Sequence, residues 1–489
     1  MSLFIGPLMR NGSMLWILLL MLCSPGMIWA QESSITPSSH ETNAHTDIIE
    51  PADAVLIQRK EFEWTRHIRT TLRLPDWIDL GLEQRTRFES YDHPWRTQQT
   101  VGNGQADSSI ALRSRVRIGL GGGGPVRFLF EGQDSRAYLD REPGDFRDTT
   151  TVNEFDIVQL LGSLTLHDVG EIGIRTDIHF GRMTMDFGRR RLIARNDFRN
   201  TTNSFDGVHW QMSQEKAWRI RAFFVEPVVR DDVRLDTQDT RALLWGTYLE
   251  SRHIPWLQLD TYYFGLNDQR SPDGTTHRTY STIGGRLSKD PEPGAIDYEI
   301  ESAWQTGTRG ATHHFAHFQH IDLGYTFTLP WTPRLVFHYD YASGDRKPGD
   351  SRHEGFDTLF GARRWEYGPT GTFGPFFRTN IRSPGWRLIV TPTAGLTVQV
   401  KHRLWHLAQS RDIFGNSNLR DTTGQAGTSL GHDIEVRVQW AFNNNLDLDI
   451  GYDHWFKGSY FDRLPASSGL PSGGNKDTDY VYVSMRVRV

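Results

Sequence analysis

The chain has 489 residues, of which 23% are charged and 12% are aromatic, and it contains 46 glycines. This length and composition fit either several soluble domains or one large β-structure. The formal net charge is only −5, and no nucleic-acid partner is expected. No stretch reaches about 18 consecutive apolar residues, so the sequence excludes a membrane-spanning helix.

Arginine dominates the basic residues. Lysine accounts for 7 of the 54 basic residues, so the other 47 are arginine. The guanidinium group presents a fixed planar fork to carboxylates or phosphates and stays charged near neutral pH. The bias towards arginine therefore favours contacts with carboxylates or phosphates.

The first thirty residues have the pattern of a secretory signal peptide. Arg10 is followed by an apolar run over residues 14–22 and by a breaker at Pro25, and we expect cleavage after Ala30. The only cysteine, Cys23, lies within this leader. The mature chain is therefore expected to contain no disulfide.

Residues 31–74 are predicted to form a periplasmic extension. Residues 31–53 are polar, with few apolar side chains, and should be disordered. Residues 54–74 have the pattern of a short amphipathic helix. The remaining residues, 75–489, are expected to form one large domain.

A two-residue alternation of apolar and charged side chains begins at Ile78 and recurs along the chain. In the first run Leu80 and Leu82 alternate with Arg85 and Arg87, as expected of a strand with one apolar face. Similar runs occupy residues 111–120, 296–305, 335–341, 433–442, 446–453 and 480–489. Each is about ten residues long, which is the length that a tilted strand needs to cross a bilayer.

The connections between these runs alternate in length. Eight short links are separated by nine longer polar segments, over residues 91–110, 138–153, 183–203, 227–240, 265–277, 306–313, 344–380, 407–431 and 456–478. Outer-membrane barrels have short turns at one rim and long loops at the other. The pattern predicts an all-β fold, a transmembrane antiparallel β-barrel of about 18 strands. A soluble β-protein is the alternative.

If the apolar faces contact lipid, the charged faces line the lumen. The early strands would then supply the inward residues Arg85, Arg87, Arg113, Arg115, Arg117 and Glu131. Later strands supply the acids Asp297, Glu299, Glu301, Asp433, Glu435, Asp447, Asp449 and Asp453. Two interpretations stay open: the charges pair across strands, or the arginines offer successive weak sites to a polyanion.

Residues 181–210 hold six arginines and three aspartates between two strand-like runs. A segment with this charge density must contact water or an anion. It contains Gly181-Arg182, Phe187-Gly188-x-x-Arg191-Leu192-Ile193, Asn200-Thr201 and Phe205-Asp206-Gly207-Val208. Further motifs are Leu74-Pro75-Asp76-Trp77, Glu131-Gly132-Gln133-Asp134-Ser135-Arg136, Gly355-Phe356-Asp357-x-Leu359-Phe360, Gly431-His432-Asp433-Ile434-Glu435, Gly451-Tyr452 and Lys457-Gly458.

Together these motifs resemble the alginate-export porin family of Gram-negative outer membranes, over most of residues 74–489. The resemblance implies a monomeric eighteen-stranded barrel whose arginine-lined lumen passes a uronate polysaccharide outward. It also implies a periplasmic partner built of helical repeats. Carried over position by position, it adds Asp134, Arg136, Arg182, Arg191 and Asp206 to the expected substrate path.

Our hypothesis from the sequence is an outer-membrane conduit that exports an anionic, alginate-like exopolysaccharide. Outer-membrane lipid and lipopolysaccharide are the expected surroundings, and neither a metal nor another cofactor is expected. The abundant lumenal acids motivate an alternative, a general or sugar-selective uptake porin. A third class, an outer-membrane enzyme, lacks support because no serine or aspartate stands with a histidine placed as its base.

Overall fold

The structure is a computed structural model that describes residues 63–93, 95, 107–138, 149–170, 173–214, 217–254, 256–271, 276–370, 373–415 and 417–489. The predicted signal peptide and residues 31–62 of the predicted extension lie outside the described residues. A helix, α1 (Glu63–Leu72), occupies part of the stretch in which an amphipathic helix was predicted. None of the helices within the described ranges is long and apolar enough to cross a membrane.

Within the described residues, nineteen strands and two further short helices follow α1. The first nine strands are β1 (Ile78–Tyr91), β2 (Asp107–Leu120), β3 (Val126–Tyr138), β4 (Asn153–Val169), β5 (Ile174–Met183), β6 (Phe205–Gln214), β7 (Trp218–Pro227), β8 (Ala242–Ile254) and β9 (Leu257–Asp268). The others are β10 (Arg278–Lys289), β11 (Ile296–Arg309), β12 (Thr312–Thr326), β13 (Arg334–Ala342), β14 (Arg352–His353), β15 (Ile381–Thr393), β16 (Leu396–His406), β17 (Ser429–Ala441), β18 (Leu446–Lys457) and β19 (Thr478–Arg488). The helices are α2 (Arg364–Tyr367) and α3 (Ser459–Arg463), with a 3-10 turn at Ala466–Ser468.

Eighteen of these strands form one closed antiparallel barrel, which confirms the predicted fold class. Each strand of the wall pairs with its neighbours in sequence, and the two-residue β14 lies within a loop, where it pairs in parallel with β12. The ring closes because β1 pairs with β2 on one edge and with β19 on the other.

Side chains alternate between the two faces of the wall, as the two-residue pattern predicts. On β1 Arg87 is buried inside the barrel, whereas Leu82 is exposed on the outside. On β3 Glu131 is buried, whereas Phe128 is 53% exposed. The apolar face is therefore the outer one, and the charged face lines the lumen.

The connections have the predicted alternation, with one exception. Residues 306–313 were expected to form a long loop, but β11 continues to Arg309 and β12 begins at Thr312. Gly310 supplies the left-handed backbone of this tight turn, with a φ of +54°. The prediction was wrong because threonines at 306, 308 and 312 suit a strand and outweigh the glycines around them.

Two long connections fold into the barrel. We call residues 184–204, between β5 and β6, the crossing segment, and residues 343–380, between β13 and β15, the long loop. Buried side chains from both, including Phe187, Ile193, Phe356 and Phe376, belong to the main hydrophobic cluster. The core of the molecule thus lies inside the barrel, where these connections meet the wall.

Candidate functional site

The crossing segment extends between separated parts of the lumenal wall. Arg191 contacts Glu299 and Glu301 of β11. Asp197 contacts Arg113 of β2 and Arg486 of β19. Because these strands lie on different sides of β5 and β6 in the ring, the segment narrows the lumen from within.

The first part of the crossing segment is anchored by Phe187. Its ring packs against those of Phe223, Tyr248 and Phe264, with centroids 5.1, 5.5 and 5.9 Å away. Gly188 follows with a φ of +53°, and a Cβ atom there would lie 2.3 Å from the Tyr248 hydroxyl. Only glycine fits both the backbone and this close approach. The anchor is therefore mainly apolar packing, to which the Arg221 guanidinium adds a cation–π contact 4.1 Å from the centre of the Phe187 ring.

Arg191 lies among three carboxylates. Its guanidinium is 2.5 Å from Glu299, 2.6 Å from Glu301 and 2.8 Å from Glu366, and the residue is only 2% exposed. Burial by itself lowers the pKa of Arg191, but Glu299, Glu366 and Glu301 outweigh it and hold that pKa well above its ordinary value. Arg191 therefore stays charged at every accessible pH.

Further groups balance the charge around Arg191. Arg189 donates to Glu299 at 2.9 Å, and Arg378 donates to Glu366 at 3.2 Å. The Tyr262 hydroxyl donates to Glu301 at 2.8 Å. Arg286 also lies 3.6 Å from Glu299 and pairs with Asp260, so four arginines face four carboxylates at this end of the crossing segment.

The long loop is bound directly to the crossing segment. The Phe360 amide donates to the Leu192 carbonyl at 2.9 Å, and the Ala362 amide donates to the Arg190 carbonyl at 2.8 Å. Arg378 donates to the Arg191 carbonyl at 2.6 Å. Together with the ion pair between Arg191 and Glu366, these bonds join the two connections into one lumenal assembly.

Asp197 has the reverse arrangement, a carboxylate among arginines. It lies 2.7 Å from Arg115, 3.0 Å from Arg113 and 3.3 Å from Arg486. Burial alone raises the pKa of Asp197, but Arg113, Arg115 and Arg486 outweigh it and hold that pKa well below its ordinary value. Asp197 is therefore ionised throughout the physiological range.

The wall also binds the backbone of this turn. Arg85 donates to the carbonyls of Asp197 and Arg199, both at 2.8 Å, and Arg113 donates to the Asp197 carbonyl at 2.9 Å. Arg87 donates to the carbonyl of Phe198. Because these acceptors are backbone carbonyls, the bonds hold the turn against the wall regardless of the charge on its side chains.

Cations outnumber carboxylates around Asp197. One ion-paired network joins five arginines, Arg113, Arg115, Arg195, Arg486 and Arg488, to four carboxylates, Glu83, Glu131, Asp197 and Asp447. Arg85 lies beside it, and its four acceptors are all neutral oxygens. The group therefore has two more cations than carboxylates, inside the barrel.

The structure brings seven of the predicted path residues together in the lumen. They are Arg85, Arg87, Arg113, Arg115, Arg117, Glu131 and Arg191. Arg117 shares the inward face of β2 and stands opposite Glu131 of β3. Most of the others bind the crossing segment or belong to it, so their contact with a transported polymer stays a prediction.

Asp134 and Arg136 differ from the lumenal position expected of them. Both are even-numbered residues of β3 and share the outer face with Phe128, whereas Glu131 and Ser135 face inward. They pair with each other at 2.9 Å, and Arg136 also approaches Glu154 at 3.6 Å. Strand alternation makes an inward position impossible without a change of register.

Arg182 and Asp206 also lie on the outer face, not in the lumen as expected. Arg182 forms two bonds to Asp206, at 2.8 and 2.9 Å. It shares a face of β5 with the exposed Phe180, and Asp206 shares a face of β6 with the exposed Val208. This pair staples β5 to β6 near the loop ends of both strands.

Sequence reasoning missed the contribution of the long loop. Glu366 and Arg378 complete the surroundings of Arg191 from 175 and more residues away in the chain. No local pattern around them predicts that the loop folds inward. The nearby motif from Gly355 to Phe360 was an indirect signal, because Phe360 is where the two connections pair.

A closed barrel with an apolar outer face, a charged lumen and infolded connections defines an outer-membrane channel. It is similar to solved porins: OccAB1 of Acinetobacter baumannii (TM-score 0.56, 12% identity, 84% of this chain and 96% of that one). OpdK of Pseudomonas aeruginosa is also similar, with a TM-score of 0.55 and 12% identity over 84% of this chain and 98% of that one. The structure of OpdK with vanillate has a TM-score of 0.55 and 13% identity, over 84% of this chain and 98% of that one. The chain belongs to the alginate export family, whose model matches residues 76–469. No curated protein sequence matches it.

Proposed function

We propose that this protein is a conduit through which an anionic, alginate-like exopolysaccharide leaves the cell across the outer membrane. The observation that carries the proposal is the excess of two cations around Asp197, at the narrowed part of the lumen. A polyanion entering that region meets a favourable potential, while the neighbouring carboxylates keep the attraction weak enough for release. Membership of the alginate export family supports the same substrate class.

Planar-bilayer conductance tests this proposal. In a salt gradient the reversal potential should indicate anion preference, and an added polyuronate should block the current. A neutral oligosaccharide of similar length should block far less, since it lacks the carboxylates that the arginines attract. A preference for cations would overturn the proposal.

Arg85 offers a direct test of the cation excess. Arg85→Gln removes one charge whose acceptors are neutral oxygens, so it should lower both anion preference and polyuronate block. Arg136→Gln, on the outer face of β3, is the matched control and should change neither.

The direction of transport is tested by a deletion strain. A strain without the protein should retain anionic polysaccharide in its periplasm and release little into the medium. Restoration by the wild-type chain controls for secondary damage. Normal secretion by the deletion strain would exclude an export role.

An uptake porin is the second candidate function. OpdK, a porin of similar fold, has been crystallised with vanillate, and the two infolded connections joined at Arg191 leave a narrowed lumen that suits a small solute better than a bulky polymer. Liposome swelling separates the two functions. Rapid entry of small carboxylates or sugars, without block by polyuronate, would favour uptake.

The partners inferred from the sequence stay proposals. They are the exported polymer, the lipid and lipopolysaccharide around the barrel, and a periplasmic protein built of helical repeats. We also propose that the barrel acts as a monomer. Cross-linking in intact cells, followed by identification of the products, would test the protein partner and the monomeric state together.

A further inference from the structure

The helix α1 lies at the rim of the barrel that carries the short turns. Five residues separate its last residue, Leu72, from Ile78, where β1 begins. The Gly121 amide, in the turn between β2 and β3, donates to the Trp77 carbonyl at 2.9 Å. This bond holds the end of the extension beside the first short turn. In a barrel of this type the short turns lie at the periplasmic rim.

Large apolar side chains are exposed at this rim. Leu72 is 60% exposed and Trp77 is 53% exposed. Ile68 and Leu72 are four residues apart, so they share one face of the helix. The lipid-facing wall begins close by, where Leu120 and Val126 are also exposed on either side of the turn. The apolar surface therefore continues from the wall onto the extension.

Basic residues accompany this apolar surface. His67 and Arg73 are exposed, and Arg69 pairs with the exposed Asp76 at 3.3 Å. Across residues 59–73 the sequence has five basic residues, Arg59, Lys60, Arg66, Arg69 and Arg73, and two acidic ones, Glu61 and Glu63. The segment is thus cationic in a chain whose formal net charge is −5.

We propose that α1 lies flat on the periplasmic leaflet of the outer membrane, with Leu72 and Trp77 in the lipid and the arginines among anionic phospholipid headgroups. Helices of this kind bind through buried apolar area plus attraction to anionic lipid. Tryptophan favours the interface between hydrocarbon and headgroups. The helix lies outside the matched residues 76–469, so the inference does not rest on the proposed function.

Site-specific fluorescence in the full chain tests this placement. Cys23 is the only cysteine, so a Cys23→Ser background allows one label to be placed at Leu72→Cys. Thr70→Cys is the matched control, because it is also exposed but lies about 200° around the helix from position 72. Both proteins would be reconstituted in vesicles containing phosphatidylglycerol and a lipid that carries a quencher in its acyl chain.

The label at position 72 should show blue-shifted emission and at least twofold stronger quenching than the label at position 70. Equal quenching at both positions, or none at 72, would overturn the placement. Unchanged heat-modifiable mobility of both variants on gels would show that the barrel is folded.

The headgroup contact has its own test. Arg73→Glu should weaken the quenching at position 72 in vesicles with phosphatidylglycerol and should leave it unchanged in purely zwitterionic vesicles. Quenching that ignores both the substitution and the lipid charge would overturn the role of the anionic headgroups. In that case Leu72 and Trp77 alone would account for the binding.

Discussion

The two ends of the crossing segment are held by opposite arrangements of charge. At one end a single arginine, Arg191, lies among three glutamates. At the other end a single aspartate, Asp197, lies among three arginines. Either arrangement is stable only because each buried charge has partners within hydrogen-bonding distance.

The ends differ in what else they hold. The Arg191 end also binds the long loop and is balanced in charge by Arg189 and Arg378. At the Asp197 end, arginines of the wall donate hydrogen bonds to the backbone of the turn, and cations outnumber carboxylates. We infer that the Arg191 end determines how far the lumen is narrowed. The Asp197 end determines whether the lumen favours anions or cations.

Reversing charge at the Asp197 end should have the largest effect. Arg113→Glu combined with Arg115→Glu places two carboxylates against Asp197 and Glu83, so the turn should leave the wall. Anion preference should become cation preference, measured as a change in the sign of the reversal potential. The single outer-face variant Arg136→Glu should leave that sign unchanged; an unchanged sign in the double variant would contradict the inward register of β2.

Removing the guanidinium at the other end should come next. Arg191→Ala leaves Glu299, Glu301 and Glu366 buried without it, which costs about 3–5 kcal/mol for a buried ion pair. Both infolded connections should loosen, so single-channel conductance should rise and limited proteolysis should cut the long loop.

Arg189→Ala is the control for that variant. Arg189 is 41% exposed at its side chain and shares Glu299 with Arg191, so its loss should change conductance little. If Arg191→Ala conducts like the wild type, the two connections are not joined through this residue.

Neutralising Asp197 should have a smaller effect. Asp197→Asn loses charged hydrogen bonds, at a cost of about 1–3 kcal/mol, but the bonds from Arg85 and Arg113 to the backbone remain. The turn should stay in place, and anion preference should increase because the local cation excess grows. A fall in anion preference, read from the reversal potential, would contradict this account.

Acid should not reproduce Asp197→Asn at ordinary pH. The pKa of Asp197 lies well below its unfolded value of 3.8, because the three arginines outweigh the effect of burial. The stabilisation is therefore fully present above that value and is lost only as the pH falls towards the folded pKa. Conductance should be recorded from pH 8 to pH 5 for the wild type and for Asp197→Asn. The wild type should show no transition in this range that is missing from the variant.

The smallest effect should come from the outer face. Arg182→Ala removes a pair with Asp206 that staples β5 to β6 outside the lumen. Its thermal stability should fall slightly, while its reversal potential should match that of the wild type. Altered ion selectivity in this variant would place Arg182 on the conduction path after all.

The wall of the barrel was predictable from sequence because its signal is local. Alternation every two residues places Leu82 outside and Arg87 inside without reference to the rest of the chain. The same rule could have excluded Asp134 and Arg136 from the lumen, since they share a parity with Phe128. The family resemblance assigned them to the path without regard to strand face.

The infolded assembly was not predictable in the same way. The bonds among Arg191, Glu366 and Phe360 depend on contacts between distant segments. A charged loop can have the same sequence pattern whether it projects into solvent or folds against an oppositely charged wall. Only the positions of Glu299 and Arg113 on the inner wall decide between the two.

Asp197 also bears on how the barrel is assembled. It binds Arg113 and Arg115 of β2 and Arg486 of β19, so its contacts straddle the seam at which β1 meets β19. That seam joins parts of the chain about 400 residues apart and is the most non-local step of folding. In the folded barrel the Asp197 carboxylate therefore links β2 to β19 across β1, and the crossing segment braces the closed ring from inside.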